Sequence, residues 1–312
     1  MQQKSKYIYT YASRVEELSL CELELRTIFE KEIETTTFIS EISFDVSRSP
    51  FMRERIDIIV EADSYDELLE MVKNIPVTTK TYKTIFVRHD ELENKIGLNQ
   101  RRRIEREIGM NIPGDVHMDH PDHYYGIVYF DQKWFVGNYH KNEAVWLRHQ
   151  TKPNSYSTAL NTRVARAVVN IAVPSIVNKK VIDPCCGIGT VLVEGLSMGV
   201  DIVGSDRNPL ILQGTRENIA HFGYKTDVKY LDIRDVTEQY DAAIIDMPYN
   251  LCSVISSQEQ LEMLSSARRF TNRIVIITIE NIDSIIRDAG FTIMDRCVLK
   301  KGRLDRQIIV CE

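Results

Sequence analysis

Three acids that each end an apolar run are the residues of this chain best suited to chemistry. Asp183 ends one such run, and the glycines Gly187 and Gly189 follow it. Glycine lets a backbone turn sharply and approach a ligand, and the helical spacing that starts at Thr190 places a helix N-terminus beside the turn. Asp206 ends the next apolar run, about 20 residues after the glycines. A carboxylate at this spacing hydrogen-bonds the ribose in a nucleotide-binding β-α-β unit.

The third acid begins the tetrad Asp246-Met247-Pro248-Tyr249, after another apolar run. This tetrad resembles the Asn/Asp-Pro-Pro-Tyr motif of the S-adenosylmethionine-dependent methyltransferases that modify exocyclic amino groups. Met247 stands where the family has proline, and Asn250 where glycine commonly follows. We expect Met247 to loosen the backbone there without abolishing activity, because a main-chain carbonyl can accept hydrogen bonds whatever its side chain.

The amino-acid composition limits which classes of protein this chain can belong to. The chain has 312 residues, of which 43% are hydrophobic and 27% charged, which is typical of a water-soluble protein with two or three domains. No apolar run approaches the roughly 20 residues of a membrane span, and the first residues lack a signal-peptide core, so we expect a cytoplasmic location without a membrane partner. The six cysteines form no CxxC pair, and we expect all of them to be reduced thiols.

Strand and helix patterns alternate from residue 181 onward. Strands are predicted at 181–183, 202–206, 227–231, 241–246 and 273–279, with helices near 190–198, 209–221 and 258–269, and an antiparallel pair of strands closes the chain. Alternating strands and helices predict a parallel sheet covered by helices on both faces, an α/β fold. The methyltransferase resemblance implies the Rossmann-like, seven-stranded variant of this fold over residues 151–312.

Residues 1–150 predict a separate α+β region without a glycine turn or a catalytic cluster. Its order is an α+β unit, then IG-x-x-I-x-G-D-V, then two strand-like runs separated by Pro121-Asp122, and then a short return with tryptophan and glycine. The second run and the return are predicted to form a hairpin across the turn Asp131-Gln132. This order resembles the THUMP RNA-binding domain and the small leader domain that precedes it in THUMP methyltransferases. The resemblance implies RNA binding by residues 1–150.

The segment KPNSYSTAL, residues 152–160, is predicted to be the joint between the N-terminal α+β region and the α/β region. Together with the arginine- and alanine-rich helix that follows, it resembles the entry to the catalytic domain of archaeal-type tRNA guanosine-N2 methyltransferases. In that family the residues after the joint lie over the cofactor, which implies that Ser157 and Thr158 contact it. Capping of the helix that follows Asn161 is the alternative role for these two residues.

The resemblance also implies which residues bind S-adenosylmethionine. Asp183 would meet its methionine end, Asp206 its ribose, and Asp232 the amino group of its adenine. The full set of expected cofactor-binding residues is Ser157, Thr158, Asp183, Cys186, Gly187, Gly189, Thr190, Asp206, Arg207, Asp232 and Ile233. Asp206 capping the next helix and Asp232 pairing with Arg234 are the structural alternatives.

The expected catalytic residues are the four of the tetrad. An exocyclic amino nitrogen is a weak nucleophile, so two hydrogen-bond acceptors on its N–H groups would stabilise the positive charge that develops during transfer. Asp246 supplies a carboxylate, the carbonyl of Met247 or Pro248 supplies the second acceptor, and Tyr249 offers a ring on which the base can stack. Aspartate at the first position favours guanine N2 over adenine N6 in this family.

A net charge of −6 does not indicate a nucleic-acid partner, so RNA binding would need local basic patches. The candidates are Arg101, Arg102, Arg103 and Arg106 on a short helix, and Lys300, Lys301 and Arg303 at a turn near the end of the chain. A solvated face is the alternative for the arginines. His117, His120 and His123 lie on a strand and turn where they would not converge, so no metal site is expected.

Together these patterns predict a methyltransferase that uses S-adenosylmethionine to modify the N2 amino group of a guanosine in tRNA. The family resemblance implies the guanosine at position ten. Three alternatives stay open: a guanine-N2 enzyme for rRNA, another amino methyltransferase acting on adenine N6 or on a protein glutamine, and a non-catalytic RNA-binding protein that keeps the fold. The sequence does not indicate an oligomeric state.

Overall fold

The computed structural model describes residues 5–76, 81–89, 96–156, 159–250, 253–301 and 304–312; the side chains of residues 249, 250, 253, 254, 301 and 304 lie outside that description. The chain divides into two compact units. The first contains Met1–Ala12, Ile33–Ser47 and Phe51–Glu143, and the second contains Ser13–Glu32, Arg48–Pro50 and Ala144–Glu312. None of the described helices is both long and apolar enough to cross a lipid bilayer.

Strands and helices are numbered along the chain. The strands are β1 (Tyr7–Tyr11), β2 (Thr37–Ser40), β3 (Met52–Ala62), β4 (Thr81–Phe86), β5 (Asp115–Val116), β6 (His123–Phe130), β7 (Lys133–Lys141), β8 (Lys180–Asp183), β9 (Asp201–Asp206), β10 (Val228–Tyr230), β11 (Ala242–Asp246), β12 (Tyr249–Asn250), β13 (Ser253–Val254), β14 (Ile274–Thr278), β15 (Ile293–Lys301) and β16 (Leu304–Cys311). The helices are α1 (Leu18–Phe29), α2 (Tyr65–Val72), α3 (Leu98–Asn111), α4 (Thr162–Ala172), α5 (Thr190–Ser197), α6 (Pro209–His221), α7 (Ser257–Phe270) and α8 (Asp283–Asp288).

The first unit is an α+β unit whose described strands form a sheet in the order β2-β1-β3-β7-β6-β4-β5. Helices α2 and α3 cover one face, and Leu68, Ile104 and Ile108 are among the buried residues of that core. The β6–β7 hairpin turns at Asp131 and Gln132, whose φ angles of 51° and 61° belong to the two-residue turns that suit hairpin twist. The hairpin predicted across these two residues is confirmed.

The described strands of the second unit form its main sheet in the order β10-β9-β8-β11-β14-β16-β15. The first five strands in this order run parallel, while β16 lies antiparallel to both of its neighbours. The central strands β8, β11 and β14 are mostly apolar and buried, as expected for strands that lie between two layers of helices. The predicted α/β class with a seven-stranded Rossmann-like sheet is confirmed.

Helix α1 lies against β15, the edge strand of this sheet. The Ser19 hydroxyl donates to the backbone oxygen of Val298 over 2.7 Å, and the Arg26 guanidinium donates two hydrogen bonds, of 2.6 and 2.9 Å, to Asp295. An uncovered edge strand presents unpaired backbone groups that attract other chains, and a helix across it limits such pairing. Helix α1, although near the start of the chain, is therefore part of the second unit.

Buried polar contacts join α1 to α4 inside the second unit. The Ser49 hydroxyl and the Asn170 amide donate to the two oxygens of Glu24, over 2.5 and 2.7 Å, and Asn170 also donates to the backbone oxygen of Arg48. Glu24 is completely buried, and that burial raises its pKa from 4.5 to about 7, against the opposing effect of the two hydrogen bonds. Above neutral pH the folded chain therefore holds a buried charge.

We expect Glu24→Gln to stabilise the chain at alkaline pH, by up to about 3 kcal/mol. A carboxyl whose pKa is raised on folding favours the folded state at low pH and loses that contribution as pH rises from 4.5 to about 7, whereas glutamine does not ionise. Urea unfolding at about pH 5 and about pH 8 measures the difference, with the exposed Glu22→Gln on the same helix as control. A Glu24→Gln effect that is equal at the two pH values contradicts this explanation.

Candidate active site

A cleft of about 430 Å³ opens where the parallel strands of the second unit end. Asp183, Asp206 and Asp246 are the last residues of β8, β9 and β11, so the three acids predicted from the sequence meet at one edge of the sheet. This edge is where open α/β sheets bind ligands. The cleft is lined by Tyr156, Pro184, Cys185, Gly187, Asp206, Arg207, Asn208, Ile211, Asp232, Ile233, Arg234, Asp246, Met247, Pro248 and Met263.

The two predicted glycines have different roles in the turn after β8. Gly187 has a φ of +50° and lines the cleft, and a Cβ atom placed on it would lie 2.5 Å from the Tyr156 hydroxyl. Gly189 has a φ of +77° and faces helix α6 instead, where a Cβ would lie 2.9 Å from Cγ2 of Thr215. Gly187 therefore gives the Tyr156 hydroxyl room at the cleft floor, and Gly189 permits helix packing beneath it.

Asp206 fixes the glycine turn with its side chain. Its Oδ2 accepts a hydrogen bond from the Gly187 N–H over 3.0 Å, and its Oδ1 accepts one from the Asn208 N–H over 2.8 Å. The carboxylate is half-buried on the cleft wall and keeps acceptor capacity beyond these two hydrogen bonds. Asn208, and not Asp206, caps α6 by accepting from the Leu210 N–H.

Four of the predicted cofactor residues lie outside the lining of the cleft. Asp183 is buried beneath the floor and accepts from the Cys185 N–H over 3.2 Å. Burial raises the pKa of Asp183 well above its usual range, and the neighbouring carboxylates of Asp246 and Asp206 add to the rise. The other three, also buried, are Cys186, Gly189 and Thr190.

Asp246 is the lining residue whose polar atoms are least satisfied. Its Oδ1 is buried and has no hydrogen-bond partner among the described residues. Burial raises the pKa of Asp246 from 3.8 to about 7, with Arg306 opposing the rise. A carboxyl in a cleft with a pKa near neutrality and an unused acceptor atom is a typical functional group of an active site.

Met247 packs beneath the cleft, in the hydrophobic core that includes Ile255 and Met263, and is only 3% exposed. Its N–H donates to the backbone oxygen of Ile277 over 2.9 Å, which extends the pairing of β11 with β14 by one residue. Proline has no N–H and would lack this bond. The expectation that Met247 loosens the backbone is therefore wrong, because a strand hydrogen bond and core packing hold this position.

Ion pairs line the rim of the cleft. Arg234 donates to both oxygens of Asp232, over 2.9 and 2.8 Å, which is the pairing considered from the sequence as the alternative to adenine binding. These hydrogen bonds lower the pKa of Asp232 and keep it ionised, and Ile233 lies between the two charged residues. Arg207 also forms an ion pair, with Oε1 of Glu259, over 2.5 Å.

The predicted RNA-binding arginines lie on helix α3 of the first unit. Arg102, Arg103 and Arg106 are exposed and Arg101 is half-buried, while Arg103 pairs with Glu107 over 2.7 Å. Lys300 is exposed on β15 of the second unit. Ser157, Thr158 and Arg303 lie outside the described residues, as do the side chains of Tyr249, Asn250 and Lys301.

The described histidines do not form a metal site. The His120 N–H donates to Nδ1 of His117 over 3.0 Å, and His123 packs edge-on against Tyr125. Burial lowers the pKa of His123. Within the described residues no group of three or more His, Cys, Asp or Glu side chains is arranged to hold an ion.

Tyr156 is one of several lining residues that are not among the site residues predicted from the sequence; the others are Pro184, Cys185, Asn208, Ile211, Arg234 and Met263. The Tyr156 ring lines the cleft and its hydroxyl lies against Gly187. Burial raises the pKa of this phenol to about 12, and the carboxylates of Asp246, Asp206 and Asp183 contribute, so the hydroxyl is neutral. The sequence signal that could have identified Tyr156 was its position in KPNSYSTAL, directly before the expected cofactor contacts Ser157 and Thr158.

Comparison with known families supports a methyltransferase domain in the second unit. Residues 149–284 match the model of the family UPF0020, described as an RMKL-like, methyltransferase domain. A solved structure, TrmN from Thermus thermophilus, has a TM-score of 0.49 and 15% identity, with 98% of this chain and 99% of that chain covered. A similarity this low adds nothing to the topology described above.

Three curated archaeal relatives carry the same name, tRNA (guanine(10)-N2)-dimethyltransferase. The one from Methanothermobacter thermautotrophicus is 34% identical over 41% of this chain and 38% of its own length. The one from Pyrococcus abyssi is 24% identical over 64% and 62%, and the one from Methanocaldococcus jannaschii is 22% identical over 96% and 87%. The chain thus spans less than two thirds of the first two relatives that it matches.

We expect Met247→Ala to destabilise the second unit by about 2–4 kcal/mol, because the truncation leaves a cavity in the core under the tetrad. Met247→Leu keeps most of the volume and should change the free energy of unfolding by less than about 1.5 kcal/mol. Urea unfolding measures both variants against Met294→Ala, in which a methionine that is 57% exposed is truncated. Equal effects at positions 247 and 294 contradict the buried position of Met247.

Proposed function

We propose that this chain is an S-adenosylmethionine-dependent methyltransferase that modifies the exocyclic N2 amino group of a guanosine in tRNA. One observation carries the proposal: Asp246, at the end of a central strand, has a buried oxygen in the cleft with no partner among the described residues. A buried acceptor of this kind favours a ligand that donates a hydrogen bond to it, as an amino group does. The family match and the names of the archaeal relatives support the reaction and the RNA substrate.

The residues of the cleft fit S-adenosylmethionine. A volume of about 430 Å³ is within the usual range for a small-molecule site, and the carboxylates suit a cation. Asp206 is proposed to bind the ribose hydroxyls through charge-assisted hydrogen bonds, with Asp232 and Ile233 nearer the adenine. The absence of a Cβ at Gly187 lets the Tyr156 hydroxyl lie against the turn. When bound, the cofactor supplies the methyl group that is transferred.

The chain's own residues would orient the amino group and stabilise charge on it. The Asp246 carboxylate is proposed to accept one N–H, and the carbonyl of Met247 or Pro248 the other, while Tyr249 stacks on the base. The bond from the Met247 N–H to Ile277 fixes the backbone that carries these carbonyls. Fixed acceptors stabilise the developing positive charge without reorganising during the reaction. A base inside an RNA helix has to leave its stack to reach them.

We expect Asp246→Asn to lower single-turnover methyl transfer to unmodified tRNA by about a hundredfold and to flatten its pH dependence. In the wild type the acceptor is the ionised carboxylate, so activity should fall as the pH drops below the Asp246 pKa of about 7. The amide side chain of the Asp246→Asn variant keeps one acceptor oxygen but does not ionise, so its activity should not change with pH for this reason. Rates at subsaturating cofactor between about pH 5.5 and 9 show the difference.

Asp201→Asn is the matched control, because Asp201 is an exposed carboxylate at the opposite end of β9. The control should keep the wild-type profile. An Asp246→Asn variant that keeps the same inflection near neutrality argues that another group titrates, and removes the main support for the proposed role of Asp246.

We further propose that the first unit binds the tRNA through the arginines of α3. Ile104 and Ile108 of this helix are buried in the core, whereas Arg102, Arg103 and Arg106 are exposed to solvent. The overall charge of −6 disfavours RNA, so binding has to depend on such local clusters. The loose THUMP resemblance of residues 1–150 supports the same role.

Replacing Arg101, Arg102 and Arg103 together with alanine should raise the KM for tRNA and leave cofactor affinity and saturated turnover nearly unchanged, since phosphate contacts position the substrate. The log–log salt slope of RNA binding should become shallower by up to about 0.7–0.9 per lost contact. The triple variant Lys73→Ala, Lys83→Ala and Lys141→Ala removes the same charge from scattered positions of this unit. Equal losses in the two triple variants would show that total charge, and not the α3 cluster, determines affinity.

A further inference from the structure

Asn218, on helix α6, makes buried hydrogen bonds to two separate segments of the second unit. Its Oδ1 accepts from the Asn154 N–H over 2.9 Å, and its Nδ2 donates to the Asn154 backbone oxygen over 3.0 Å. The same Nδ2 donates to the backbone oxygen of Ile188, in the glycine turn, over 2.9 Å. Asn218 is completely buried, and no role in the cleft follows from its position in the sequence. One side chain thus ties the joint before α4 to the glycine turn.

Neighbouring residues of α6 strengthen the same connection. The Thr215 hydroxyl donates to the backbone oxygen of Gly187 over 2.5 Å. The amide of Asn154 donates to Glu217 over 2.9 Å. Helix α6 therefore holds the turn and the joint at a fixed distance from one another.

Tyr156 is the cleft residue whose position depends on these hydrogen bonds between α6, the joint and the glycine turn. It follows Asn154 by two residues, and its hydroxyl lies where a Cβ on Gly187 would be 2.5 Å away. The hydroxyl stays neutral because burial and the surrounding carboxylates raise its pKa to about 12. It can therefore donate a hydrogen bond at the floor of an acid-lined cleft. A shift of the joint would move this hydroxyl away from the floor.

We propose that Tyr156 binds the methyl donor at the floor of the cleft and that Asn218 is a positioning residue that acts through Tyr156. This inference rests on the proposed function, since it takes the nucleoside sulfonium cofactor as the ligand. It adds two residues to the site: one that contacts the ligand and one, buried on α6, that does not.

Asn218→Asp tests the positioning role with a side chain of the same shape. The acceptor for the Asn154 N–H is kept, but an oxygen replaces the donor and faces two backbone oxygens. We expect calorimetry to give a dissociation constant for S-adenosylmethionine, and for its demethylated product, about tenfold or more above the wild-type value. Affinity for tRNA should not change. Tyr156→Phe should weaken cofactor binding several-fold, and Tyr156→Ala about as much as Asn218→Asp.

Asn170→Asp is the matched control for loss of stability. Asn170 is equally buried in the same unit, and its amide also donates to two oxygens, those of Glu24 and Arg48, away from the cleft lining. It should lower the Tm without changing the dissociation constant, measured at a temperature where both variants are folded. Tyr156 is 41% exposed, so its variants should fold even if Asn218→Asp does not.

The double variant Tyr156→Ala/Asn218→Asp shows whether one residue acts through the other. We expect the second change to add little to the loss caused by the first, because both remove the same contact. Additive losses, or cofactor affinity that is unchanged in Asn218→Asp or in Tyr156→Ala, overturn the inference and leave the proposed function standing. A wild-type chain that binds neither S-adenosylmethionine nor its product overturns the proposed function, and the inference with it.

Discussion

The hydrogen bond from the Gly187 N–H to the Asp206 carboxylate is the contact on which the cleft depends. It joins the turn after β8 to the end of β9, and the other oxygen of Asp206 fixes Asn208, where α6 begins. Helix α6 then holds the same turn from beneath, through the Thr215 hydroxyl. A single half-buried carboxylate thus ties the glycine turn to the end of β9 and to the start of α6.

The three acids at the sheet edge differ in environment, and so in what they can do. Asp206 accepts two backbone N–H groups and stays on the cleft wall, while Asp183 is buried beneath the floor with a raised pKa. Asp246 has a pKa near 7 and an unused acceptor. Carboxylates in different surroundings within one site commonly take different roles. The proposed function assigns ribose binding to Asp206 and the amino group of the base to Asp246.

The sheet and its acidic edge were predictable because their signals are local. Apolar runs that end in an acid mark the carboxyl ends of buried strands, and closely spaced glycines mark the turn. The prediction that Asp183, Asp206 and Asp246 meet at one edge of the sheet is therefore correct, and Gly187 and Gly189 have the positive φ angles of such a turn. The position of α1 was not predictable, since its contact with β15 joins residues far apart in the sequence. The role of Met247 was not predictable for a related reason: its N–H donates a hydrogen bond to Ile277 in β14, which lies further along the chain.

The remaining differences come from side-chain choices that a sequence leaves open. Asp232 can bind a ligand or pair with Arg234, and only the geometry shows that the ion pair forms. Tyr156 resembles any aromatic residue in a polar joint until its hydroxyl is seen against Gly187. Asn218 gives no signal at all, because an asparagine inside a helix is usually exposed. Such residues become visible only when two distant segments are brought together.

The central claim is that this chain methylates the N2 amino group of guanosine in tRNA. Its most direct test is to incubate the purified chain with unmodified tRNA and isotope-labelled S-adenosylmethionine, and then to identify the labelled nucleosides by mass spectrometry. The account predicts label in N2-methylguanosine or N2,N2-dimethylguanosine, and its loss in the Asp246→Ala variant. Label in N6-methyladenosine or in protein, or no label in tRNA under conditions where the cofactor binds, would contradict it.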